Sequence, residues 1–195
     1  MVKIGVLALQ GDVREHLDVL RVLGTEARMV TRPAHVAGLQ GLILPGGEST
    51  TIGRLMVEYE VDQAIIAAAR EGLGILGTCA GLILLADNIV GSQQPRLGLL
   101  PVRVRRNAYG RQVDSFETKI DVPVLGPPPV RAVFIRAPLV EQVSDRVDVL
   151  AQHGGHPVLI QKGKILGCSF HPELTNDTRI HQYFVSLASS AMAPE

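Results

Sequence analysis

Gly77-Thr78-Cys79-Ala80-Gly81, flanked by the apolar stretches 73–76 and 82–86, decides how this chain folds. The stretch before it reads as a buried strand and the one after it as a helix, so the cysteine falls on the turn between them. That is the arrangement of a nucleophile elbow. The residue at its tip takes a strained backbone conformation, and glycines flank it because a β-carbon at either place would run into the neighbouring strand or helix. The Cys79 thiol is thereby held clear of the sheet, at a helix N-terminus where unpaired N–H groups and the helix dipole favour thiolate over thiol.

A thiol with the ordinary pKa of about 8.5 is mostly protonated near neutrality, so a working nucleophile needs a base beside it. Ser169-Phe170-His171-Pro172-Glu173 supplies one. Pro172 biases the histidine before it towards extended geometry, which turns His171 and Glu173 to the same side. Glu173 then holds the imidazole in the tautomer that accepts the thiol proton. Cys79, His171 and Glu173 make a candidate catalytic triad. Cys168, the other of the two cysteines, lies inside a strand pattern with no elbow and reads as core packing.

Gly41-Leu42-Ile43-Leu44 reads as a short buried strand running into Pro45-Gly46-Gly47-Glu48-Ser49-Thr50-Thr51 and a helix. Successive glycines at a strand end let backbone N–H groups come close to a ligand, as an oxyanion hole requires. Taken alone, the same loop is a plain strand-to-helix turn with Ser49 as N-cap. Strand-like segments 2–9, 26–30, 41–44 and 74–78 alternate with helix-like segments 13–23, 50 onwards and 62–71. The alternation predicts an α/β fold, a three-layer open sheet, mostly parallel, with helices on both faces. Short strands and Gly/Pro turns over 97–133 predict a small antiparallel excursion. Segments 147–152, 158–161 and 165–170 return to the sheet, a helix spans 177–188, and 191–195 reads as a frayed tail. In open α/β sheets ligands bind at the carboxyl ends of strands, where Gly46-Gly47, Cys79 and His171 all fall.

These residues resemble the class I (triad) glutamine amidotransferases, whose Gly-x-Cys-x-Gly elbow and downstream His-x-Glu match residues 77–81 and 171–173. The resemblance extends to a flavodoxin-like fold. Five further blocks, Ile4-Gly5-Val6-Leu7-Ala8-Leu9-Gln10-Gly11-Asp12, the 45–51 loop, Arg106-Asn107-Ala108-Tyr109-Gly110-Arg111-Gln112, Phe134-Ile135-Arg136-Ala137-Pro138 and Phe170-His171-Pro172-Glu173-Leu174, are similar to the glutaminase subunits of pyridoxal phosphate synthase. The resemblance implies hydrolysis of L-glutamine through a γ-glutamyl thioester on Cys79. It implies an oxyanion hole from the N–H groups of Gly47 and Ala80, and substrate contacts from Gly47, Glu48, Ser49, Arg106, Ile135 and Arg136. It also implies a partner, a (β/α)8-barrel synthase subunit that receives the ammonia and makes pyridoxal 5'-phosphate from ribose 5-phosphate and glyceraldehyde 3-phosphate, in a complex of twelve plus twelve subunits. Gln10, in Gln10-Gly11-Asp12 at the end of the first strand, is the candidate for sensing that partner.

Composition bounds the rest. The 195 residues read as one domain, 1–195, with a real core. Lysine plus arginine (19) equals aspartate plus glutamate (19), so nucleic-acid binding has no electrostatic support. No apolar run reaches the roughly twenty residues of a membrane span. Two cysteines in unlike segments and an opening without signal-peptide character predict a reducing cytoplasm. His153, His156 and His171 form no convincing ligand cluster, so neither a metal nor a cofactor is expected. The rival readings are a cysteine peptidase or another triad amidotransferase, which would need different substrate loops, and a non-catalytic interaction subunit, against which the intact triad counts.

Overall fold

The elbow dictates where everything else packs. In the computed structural model, which describes residues 1–106 and 115–190, β4 (Gly74–Thr78) passes through Cys79 directly into α4 (Ala80–Leu85). Residues 107–112 of the Arg106 block and the tail 191–195 lie outside the described residues. A β-carbon on Gly81 would stand 2.0 Å from the Leu44 carbonyl oxygen, and one on Gly77 would stand 2.6 Å from the Gly81 backbone and the Leu85 side chain. The two glycines are therefore what lets α4 lie on the sheet at this distance.

The remaining elements arrange around this contact. β1 (Lys3–Leu7), α1 (Val13–Val22) and β2 (Glu26–Val30) form the first unit. β3 (Gly41–Leu44) leads into α2 (Ser49–Glu58) and α3 (Val61–Arg70) before β4. After an excursion come β10 (Asp148–His153), β11 (His156–Lys162), β12 (Ile165–Cys168) and α5 (Arg179–Ser189). The seven-stranded sheet has the order β10-β11-β12-β4-β3-β1-β2. Pairings are parallel from β12 through to β2, and β11 runs against its neighbours β10 and β12. Period-two alternation sends Ile4, Val6, Ile43 and Leu76 into one layer and Leu7, Leu42, Leu44 and Ile75 into the other. α1 and α5 cover the first face with Leu17, Leu20, Ile180 and Phe184, whereas α2, α3 and α4 cover the second with Ile52, Met56, Ile65 and Leu84. The expected mostly parallel three-layer sheet is what the chain forms.

The excursion is larger than 97–133 and is built differently. β5 (Ala86–Ile89), β6 (Leu100–Arg105) and β9 (Leu139–Val143) form one three-stranded sheet, in which β5 and β6 pair in parallel. β7 (Ser115–Ile120) and β8 (Val130–Ile135) form a separate antiparallel pair. β5 escaped the sequence reading because Asp87 and Asn88 are exposed and interrupt the apolar run that carries α4. β9 escaped because only Val140 of its five residues is fully buried.

The β12-β4-β3-β1 neighbours matter most for function. Their carboxyl ends feed, side by side, the segments that hold His171, Cys79, Gly47 and Gln10. Gly81→Ala is expected to destabilise the fold by about 3 kcal/mol, the upper range for overpacking, because the clash is with backbone rather than a flexible side chain. Urea denaturation checks this; a loss below about 1 kcal/mol would mean α4 can move away from β3 at little cost.

Candidate active site

Cys79 is the strained residue that the elbow requires. Its φ of +48° and ψ of −101° lie where L-residues rarely sit, a conformation that costs about 1–3 kcal/mol and persists only when the surroundings enforce it. The enforcing contacts are an N–H donated to the Cys168 carbonyl at 2.8 Å and a carbonyl accepting from the Ile83 N–H at 3.3 Å. The thiol is 7% exposed and lies 3.7 Å from the Ile135 carbonyl oxygen.

His171 is brought to it by the end of β12. Its N–H is donated to the Val133 carbonyl at 2.8 Å, and Pro172 opens a single 3-10 turn that carries Glu173 back beneath the ring. His171 Nδ1 lies 2.8 Å from Glu173 Oε1 and 3.3 Å from Asp12 Oδ2. With Nδ1 engaged by carboxylates, Nε2 is the nitrogen left for the thiol. Burial alone would lower the pKa of the ring. Hydrogen bonds with Asp12, Cys79 and Glu173 outweigh it and push the value up to about 12. A ring that keeps its proton at neutral pH is suited to give that proton to a leaving amine, and as imidazolium it balances the charge of a sulfur that has lost its own. Burial raises the pKa of Glu173, against the lowering effect of the His171 hydrogen bond and charge.

A cavity of about 320 Å³ opens over the thiol, lined by Cys79, Ala80, His171, Gly47, Glu48 and Ser49, and also by Gln10, Arg106, Ile135 and Arg136. Residues 6–190 match the family described as SNO glutamine amidotransferases. The chain belongs to that family. A pyridoxal 5'-phosphate synthase subunit PdxT from Thermotoga neapolitana is 52% identical over 185 residues, covering 95% of this chain and 98% of the relative. Another from Pelotomaculum thermopropionicum is 51% identical over 183 residues, covering 94% and 93%. A crystal structure of a glutamine amidotransferase superposes with a TM-score of 0.92 at 52% identity, covering 96% of this chain and 99% of the other. The chain is therefore a glutamine amidotransferase, an enzyme, and the amidotransferase reading of its sequence holds.

The amidotransferase brings every candidate site residue except Glu173 to the wall of this cavity, and Glu173 is behind it, buried under His171. The 45–51 loop differs in detail from the simple turn. Glu48, not Ser49, caps α2, accepting from the N–H groups of Thr50 at 3.2 Å and Thr51 at 2.7 Å. Burial opposes ionisation of Glu48, but these bonds and the Arg106 charge hold its pKa below the usual carboxylate value. Arg106 is no free surface charge. It donates to Glu48 Oε1 at 2.9 Å, Thr50 Oγ1 at 2.9 Å and Gln94 Oε1 at 2.8 Å, which locks the start of α2. Gln10 Oε1 accepts the Glu48 N–H at 2.7 Å, so the exposed Gln10 side chain is tied to the 45–51 loop. Arg136 has a φ of +43° and, among the described residues, no ion pair.

Sequence reasoning missed Asp12 as a partner of His171 and Gln94 as a partner of Arg106. It also gave no role to Ile83 and Leu174 in the cavity wall. Asp12 stood in a quoted block, but nothing in one-dimensional spacing links residues 12 and 171. Asp12, His171 and Glu173 are also the group of potential metal-ligating atoms among the described residues, all within 4.8 Å of one another. Their mutual hydrogen bonding through one imidazole matches proton chemistry.

The raised pKa of His171 makes its contribution to stability complete below its unfolded value of 6.5 and progressively lost as pH rises towards about 12. Asp12→Asn is expected to lower the pH at which the ring deprotonates by about one or more, and so to shift the stability loss to lower pH. An NMR titration of the His171 ring in both proteins checks this; coincident titrations would remove Asp12 from the set of groups holding the proton.

Proposed function

We propose that this chain is the glutaminase subunit of a pyridoxal 5'-phosphate synthase, with Cys79, His171 and Glu173 as its catalytic triad. The single observation that carries the reading is a thiol and an imidazole lining one cavity, with the Glu173 carboxylate 2.8 Å behind the imidazole, in a chain about half identical over nearly its full length to synthase subunits. Cys79 attacks the side-chain amide carbon of L-glutamine, and the amide oxygen becomes a tetrahedral oxyanion facing the N–H groups of Gly47 and Ala80. His171 delivers its proton to the departing nitrogen, releasing ammonia and leaving a γ-glutamyl thioester. The ring then takes a proton from water, which attacks the thioester and frees L-glutamate. Glu173 keeps the imidazole aligned through both steps.

Glu48, Ser49, Arg106, Ile135 and Arg136 form the substrate wall. A carboxylate suits the α-ammonium of glutamine and a guanidinium suits its α-carboxylate. The Glu48–Arg106 pair already neutralises one of each, which leaves Arg136, in the cavity wall and without an ion pair among the described residues, as the guanidinium to meet substrate. Ammonia escaping to water would be protonated and lost as a nucleophile, so the site works best closed against a synthase subunit, a barrel expected in a twelve-plus-twelve assembly. Gln10, exposed and accepting the Glu48 N–H, is suited to transmit docking to the oxyanion loop. Two free thiols suit a reducing cytoplasm, and no helix among the described residues is long and apolar enough to cross a membrane. One domain, 1–195, carries all of this, in keeping with a family match over 6–190.

Glutamate release from glutamine, measured with the chain alone and with its synthase subunit added, tests the proposal. Strong turnover only in the mixture is expected, and equal turnover in both would reject gating by the partner. Cys79→Ala should lose turnover by a factor of about 10³ or more while still docking; undiminished turnover would remove Cys79 from the mechanism.

A further inference from the structure

Behind Glu173 the protein buries two histidines that the chemistry above does not use. His16, on α1, and His181, on α5, are both 0% exposed. His16 Nε2 stands 3.2 Å from Thr78 Oγ1 and 3.5 Å from Glu173 Oε1, the same oxygen that receives His171. His16 Nδ1 lies 2.9 Å from His181 Nε2. A continuous path thus runs from the elbow strand and the triad carboxylate into the space between two helices.

Only one distribution of protons suits this path. Burial is the main cause lowering the pKa of both rings, that of His181 to about 4, so both are neutral and each carries one N–H. His181 Nδ1 is buried and has no hydrogen-bond partner among the described residues. An unpaired acceptor there costs less than an unpaired donor, so the His181 proton belongs on Nε2 and is donated to His16 Nδ1. The His16 proton must then sit on Nε2, pointing at Thr78 and Glu173. The opposite arrangement would leave a buried donor unpaired at His181 and set a nitrogen lone pair against a carboxylate.

We propose that His16 is a positioning residue of the triad: its Nε2–H, oriented by His181, holds the Glu173 carboxylate ionised and aimed at His171. Among the described residues the second Glu173 oxygen, Oε2, has no hydrogen-bond partner, so the contacts of Oε1, together with the Glu173 backbone N–H, are what keep a buried carboxylate charged. The other groups bearing on that carboxylate are His171 beside it, Asp12 at the start of α1 and Cys168 on β12. Asp12 opposes ionisation of Glu173, which makes a donor on the far side more consequential. His16 touches neither the cavity nor the thiol, so its removal should act on rate and pH dependence rather than on glutamine binding.

The proposal rests on the triad reading, and its test separates the two. Glutamate release by the full chain with its synthase subunit is followed against pH for the wild type, His16→Leu and His16→Gln. His16→Leu fills the space without a donor and is expected to lower kcat about tenfold at neutral pH, with the acid limb moved up by about one pH unit and KM for glutamine unchanged. His16→Gln, which returns an N–H donor, should recover most of both. A His16→Leu profile identical to the wild type, or equal rate losses in both variants with an unmoved acid limb, would overturn the proposal. Side-chain ¹⁵N NMR of the wild-type chain needs no variant that folds and no turnover: a neutral His16 with its proton on Nε2 is expected, and a proton on Nδ1 would overturn the assignment. Absence of glutamine turnover in the wild type would count against the triad reading itself, while the ring tautomer would still be read.

Discussion

The close approach of α4 to β3 and β4 is the constraint on which the rest depends. Where Gly81 passes the Leu44 carbonyl there is no room for a β-carbon, and Gly77 meets the same limit from the strand side. Because the helix starts so close to the sheet, the residue between them cannot relax to an ordinary backbone conformation. Cys79 is therefore held at positive φ, with its thiol projecting over the strand ends. The strain is sustained by the core that α4 brings with it, Leu82, Leu84 and Leu85 all being fully buried.

Once the thiol is fixed, topology supplies its partners. β12, β4, β3 and β1 are neighbours in the sheet although they come from distant parts of the sequence. Their carboxyl ends place His171, Cys79, the 45–51 loop and the Gln10–Asp12 segment around one opening. Electrostatics then follows from burial: a half-buried aspartate and a buried glutamate share one imidazole and keep its proton on. The Arg106–Gln94–Thr50–Glu48 network does a different task, fixing the start of α2 and with it the loop that carries Gly47.

Much of this was legible in the sequence, for physical reasons. Gly77, Cys79 and Gly81 are close in the chain, so the elbow is a local pattern, and His171-Pro172-Glu173 is another. Alternating strands and helices implied parallel pairing, and parallel pairing put both motifs at the same sheet edge. What escaped were interactions between residues with no local signature. Asp12 to His171 and Gln94 to Arg106 are contacts across the fold, and single-sequence periodicity carries no information about them. β5 and β9 escaped because they are short and only partly buried. His16 had a weak signal, a polar residue on the apolar face that α1 makes with Val13, Leu17 and Leu20, but that spacing fits a packed histidine equally well.

The central claim is that the elbow makes Cys79, and not the fully buried Cys168, the reactive thiol. Burial pushes the Cys168 thiol well above its ordinary pKa, and its sulfur is turned towards the Phe170 carbonyl inside the core. The most direct measurement is alkylation of the complex by a chloroketone that carries the α-amino acid group of glutamine, followed by peptide mass mapping. A single adduct on Cys79, prevented by excess glutamine, is predicted. An adduct on Cys168, or an unmodified Cys79, would contradict the account.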